Sequence, residues 1–64
     1  MMFNIGEYVL NSQTGQVGKV IGYGHEIINN VYTTTLKVLI AKTENYSNRL
    51  LVLEDKTSAW SVIS

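Results

Sequence analysis

Cysteine and proline are both missing from this 64-residue chain. Without cysteine there is no disulfide framework and no thiolate metal site, which fits a reducing cytosol. Without proline, turns fall to Gly, Asn, Asp and Ser. A charge of one sign is missing too: five Lys and Arg offset five Asp and Glu, for a formal net charge of zero. The basic residues are dispersed. Nucleic-acid affinity comes largely from neutralising phosphates and releasing counterions. Zero net charge therefore disfavours that role, unless the fold gathers Lys19, Lys37, Lys42 and Arg49 on one face. No apolar stretch approaches the roughly 20 residues that cross a bilayer. The N-terminus MMFNIGEYVL has neither the basic segment nor the apolar run of a secretory signal. The chain is expected to be soluble, cytoplasmic and without a membrane span. At this length it makes one domain, residues 1–64, with a thin stability margin that association would improve.

What is present looks at first like chemistry. The stretch Gln13 to Glu26, QTGQVGKVIGYGHE, holds four glycines, a lysine and the single histidine. A phosphate-binding P-loop needs G-x-x-x-x-G-K-[ST] between a strand and a helix. Here only two residues separate Gly15 from Gly18, and Val20 follows Lys19 where Ser or Thr is required. The dinucleotide pattern G-x-G-x-x-G starts at Gly22 and Gly24 but meets Ile27 at its third position. HEIIN, His25 to Asn29, resembles half of a zinc-protease motif whose second histidine is lost, and a catalytic zinc needs three protein ligands. One histidine and no nucleophile motif give no catalytic triad. Glu54 and Asp55 are adjacent, so in extended structure they point opposite ways rather than forming an acid–base pair. No enzyme activity, metal or cofactor is expected.

The β-branched and aromatic residues recur in short runs separated by turn signals, the pattern of an all-β domain. Glu7 to Leu10 is the first strand, and Asn11 to Gly15 a turn. Gln16 to about Ile28 is a long second strand whose hydrophobic phase shifts between Val17 and Val20. Gly18 is the expected host of a β-bulge there. Asn29 and Asn30 suit a tight hairpin turn. In VYTTTLKVLIAK, Leu36, Val38 and Ile40 share one face and should point into the core. The other face, with Thr33, Thr35, Lys37 and Leu39, should meet solvent. Thr43 to Asn48 reads as a polar loop, Arg49 to Leu53 as a fourth strand, Glu54 to Ser58 as a short turn, and Ala59 to Ile63 as a fifth strand.

Five short strands in this order resemble a small SH3-like barrel, and the wording agrees. FNIGEYVLNSQTGQVGKVIGYG resembles the opening of such barrels, hydrophobic-x-x-Gly-x-x-Val, a turn, then Gly-x-Val-Gly-x-Val, carried here by Gly6, Val9, Gly15, Val17 and Val20. LVLEDKTSAW looks like their closing strand, 3₁₀ turn and strand. Relatives with this plan include KOW-type domains of ribosomal and elongation proteins, Tudor-like domains that bind RNA polymerase, and small photosynthetic accessory subunits. The resemblance implies a five-stranded SH3-like barrel that docks on a larger partner and does not itself catalyse.

Six aromatic residues are more than so small a core can hold. Tyr23, Tyr32, Tyr46 and Trp60 are candidate anchors for a protein partner, since such rings often carry interface energy. Tyr23 and Tyr32 flank the hairpin turn and invite cross-strand pairing. Leu39, on the polar face of the third strand, marks a contact patch or a covered face. The leading expectation is a non-catalytic protein-binding adaptor. The alternatives are a nucleic-acid- or ribosome-associated barrel, using the four basic residues above, and a self-associating structural protein, which an exposed edge would permit.

Overall fold

The computed structural model describes residues 3–44 and 47–63, with the side chains of residues 42–44 and 47–49 left out. Five strands follow one another: β1 (Tyr8–Asn11), β2 (Val17–Ile28), β3 (Val31–Glu44), β4 (Ser47–Lys56) and β5 (Trp60–Val62), with a 3₁₀ turn (Thr57–Ala59) between the last two. They form one antiparallel sheet in the order β4-β3-β2-β1-β5. The all-β reading and the five strands hold. The sheet is open, however, with β4 and β5 as its edges; among the described residues no ladder joins the two.

Directly opposed residues of antiparallel strands share a face, so the register defines two faces. On the inner face Val38 stands between Val20 and Leu53. Leu36, Val38 and Ile40 are buried as their alternation predicts, together with Phe3, Val9, Val20, Ala59 and Trp60, while Leu51 and Leu53 pack against this cluster only partly covered.

The long second strand is irregular where its hydrophobic phase shifts, but not at the expected residue. The register slips between Val20 and Gly22, so Ile21 is the extra residue of the bulge. Gly18 does something else. It is buried inside the ladder, and a Cβ there would lie 2.5 Å from the Leu39 carbonyl oxygen and 2.6 Å from Val38 Cγ1. Glycine at 18 is a packing requirement, letting β2 approach β3.

Two boundaries also move. The expected polar loop from Thr43 to Asn48 is largely strand, since pairing runs out to Glu44 opposite Ser47. Glu54 to Lys56 extend β4 rather than turning, and the 3₁₀ turn starts only at Thr57. A polar residue is tolerated in a strand whose ladder is already propagating, so tertiary pairing overrides local composition there.

Candidate functional site

Beyond the core, the β2–β3 hairpin continues alone. β4 reaches only as far as Thr35, and β1 pairs with β2 only at Val17 to Lys19. The five residue steps from Thr35 to Asn30 therefore carry a free two-stranded arm about 17 Å long, at ~3.4 Å per step. It contributes to a molecule measuring 41 × 25 × 19 Å. The arm closes in a two-residue loop in which Asn29 and Asn30 both have positive φ, 51° and 63°. Asparagine tolerates that conformation, and a loop of this kind matches the right-handed twist of the strands it joins.

The arm exposes large apolar side chains among its polar ones. Ile27 is 73% exposed and its cross-strand partner Tyr32 70%; Val31, opposite Ile28, is also open to solvent. Tyr23 and Tyr32 are not the cross-strand pair the sequence suggested. Tyr23 stands opposite Leu36, and Tyr32 packs diagonally on His25 with ring centroids 4.9 Å apart. His25 thus lies on the arm as a ring partner. Neither Ile27 nor Val31 stood out in the sequence as a candidate. Their positions beside the two asparagines were the available signal, because residues next to a hairpin tip have few neighbours to cover them.

The outer face is also less polar than its threonines implied. Leu39 is half-buried, between Lys19 on β2 and Val52 on β4. Exposed Leu50 and Val52, with Tyr8, Leu10 and Val17 farther across, extend an apolar band around it. Lys19 Nζ lies 5.6 Å from the centroid of the Tyr8 ring, a cation–π contact. Thr35, expected to meet solvent, is 0% exposed, and its Oγ1 donates to Glu54 Oε2 at 2.5 Å. The cover comes from that carboxylate, which reaches over Gly24, where a Cβ would collide with it.

Trp60 is drawn into the core at 3% exposure, so its ring is a packing element rather than an open surface anchor. Its indole Nε1–H is buried without a hydrogen-bond partner among the described residues. A cleft of about 370 Å³ lies alongside, lined by Thr57, Ser58, Trp60 and Ser61. Tyr46 lies outside the described residues. Of the four basic residues, Lys19 and Lys37 share the outer face, Lys19 opposite Leu39 and Lys37 opposite Gly22. Lys42 and Arg49 oppose each other at positions of the other alternation, and their side chains lie outside the described set. Among the described residues no three His, Asp or Glu come together as a metal site. No helix of the described residues is long and apolar enough to cross a membrane.

Compared with protein-family models, curated proteins and solved structures, the chain matches none.

Proposed function

We propose that this protein is a non-catalytic docking module that presents its β2–β3 arm to a larger protein partner, on the plan of a small SH3-like barrel. The observation that carries the reading is the arm itself. Tyr32 and Ile27 on one face and Val31 on the other are large, apolar and exposed on a ribbon whose two edges pair with no further strand among the described residues. Fully burying one such side chain is worth about 1.5–3 kcal/mol, so the Ile27–Tyr32 pair, which shares one face, supplies the centre of a modest interface. The barrel plan is supported by the strand order, with β5 beside β1 and a 3₁₀ turn leading into it. The arm carries only His25 and Glu26 as ionisable groups beside Tyr32, so it suits a protein surface rather than a phosphate backbone. The nucleic-acid alternative is weakened because Lys37 and the Lys42–Arg49 pair alternate to opposite faces.

The test is a photo-crosslinkable residue at position 32, compared with one at Ser12, in cells of the native host. Position 32 should yield a discrete heterologous adduct that disappears on Ile27→Ser. Equal labelling at both positions, or none at 32, sinks the reading. Tight, salt-dependent binding to RNA or DNA by the purified chain would favour the alternative.

A further inference from the structure

We infer that two copies of this chain pair through their β4 edges, antiparallel about a two-fold axis at Val52, so that one sheet continues through both. The edge is open and long. β4 has ten residues and no proline. Among the described residues its backbone ladder is with β3 alone, and that ladder runs without a register slip. Natural sheets normally blunt such an edge with short length, proline, a bulge or charged side chains; on β4 the charges, Arg49 and Glu54 to Lys56, sit toward the two ends. Here the middle of the edge is four apolar residues in a row, Leu50 to Leu53.

The core is also unfinished at this edge. Leu51 and Leu53 face inward and pack on the buried cluster, yet both stay partly open. Leu50, on the outer face, is 70% exposed. A second β4 laid alongside covers these side chains and takes up the free backbone N–H and C=O groups together.

The occupant is set by self-complementarity. A two-fold axis perpendicular to a sheet keeps each face on its own side, so opposed residues must share an alternation. With Val52 on the axis, Leu51 meets Leu53 and Arg49 meets Asp55 on the inner face, while Leu50 meets Glu54 and Asn48 meets Lys56 on the outer face of the other copy. Moving the axis to Leu51 sets Arg49 against Leu53. Moving it to Leu53 sets Leu51 against Asp55 on the inner face, where the Val52 register sets leucine against leucine. Only the Val52 register matches leucine to leucine and the basic end of the strand to its acidic end. Asp55 already accepts from Asn11 Nδ2 and from the Lys56 backbone N–H. A carboxylate has about four acceptor sites, so capacity remains for a guanidinium. Zero net charge adds no long-range repulsion between copies.

Because the chain has no cysteine, Val52→Cys introduces a single thiol. Residues opposed in an antiparallel pair have Cα atoms about 4.5–5.5 Å apart, within the span a disulfide bridges. Mild oxidation should convert Val52→Cys to a covalent dimer, while Ser61→Cys on β5 stays monomeric. Sedimentation of the unaltered protein should show a monomer–dimer equilibrium. Arg49→Glu, which opposes two acids, should weaken it at least tenfold, whereas Tyr32→Ser on the arm should leave it unchanged. If Val52→Cys does not fold, concentration-dependent protection of the Leu50 to Leu53 amides against hydrogen exchange in the unaltered protein serves instead. A monomer at every concentration up to about 1 mM, the weak-affinity end of the scale, overturns the inference and leaves the edge for a strand from a different protein. A dimer that Tyr32→Ser abolishes, or one in which Val52→Cys does not cross-link, overturns it equally.

Discussion

Asn11 Nδ2 donates to Asp55 Oδ2 at 3.2 Å, linking the end of β1 to the end of β4. β1 adjoins one edge strand and β4 is the other, so this bond draws the two ends of the sheet toward each other over the core. The Asn11 side chain is almost fully used: its Oδ1 accepts from the backbone N–H groups of Gln13 and Thr14 and so fixes the turn that follows. It is 2% exposed. Asn11→Ala should lower stability by about 1–3 kcal/mol, because the Gln13, Thr14 and Asp55 groups lose their partner at once. Urea titration followed by tryptophan fluorescence measures this, and a change below a few tenths would show that the bond is idle.

Thr35 isolates a smaller effect. Thr35→Val keeps the shape but removes the donor to Glu54 Oε2. Because Glu54 remains exposed to water, the expected loss is only about 0.5–1.5 kcal/mol. Glu54→Gln in the same background should then change little further, and a double-mutant cycle checks that coupling.

Gly18→Ala should be among the most damaging small substitutions. The added methyl meets a backbone oxygen of β3, which cannot rotate away, besides Val38 and Ile40 side chains. Overpacking of this kind costs about 1–3 kcal/mol, or more where backbone must move. Gly24→Ala meets the mobile end of Glu54 and the Thr35 hydroxyl instead, so it should cost less than Gly18→Ala. Equal midpoints for the two variants in urea would contradict this account of the sheet.

At the hairpin tip, Asn30 has φ 63°. Alanine there should destabilise by about 1 kcal/mol, since a Cβ without a side-chain hydrogen bond makes that region unfavourable. Asn30→Gly should not destabilise, because the loop type prefers glycine. Thermal denaturation of the two variants distinguishes them by sign.

Tyr32→Ser and Ile27→Ser should leave folding nearly intact, within about 0.5 kcal/mol as for other surface changes. The Tyr32 change additionally loses the contact with His25. The same variants should weaken partner binding at least tenfold. A large stability loss from either would mean that the arm is structural.

Alternation and turn chemistry determined most of the strands by themselves. Leu36, Val38 and Ile40 had to share a face because the β period is two, and two asparagines between apolar runs had to turn. The phosphate-loop and zinc-protease patterns fail on spacing and on residue identity, at Val20, Ile27 and Asn29. Other features depended on which strand came to lie beside which. Local composition does not count neighbours, so Thr35 looked exposed until Glu54 of β4 reached over it. Gly18 looked like a bulge until β3 closed on it, leaving Ile21 as the extra residue. Trp60 looked available until the core took it. The arm and the open β4 edge arise from unequal strand lengths and from the absence of a neighbour. Such properties belong to the assembled sheet, and no single stretch of sequence carries them.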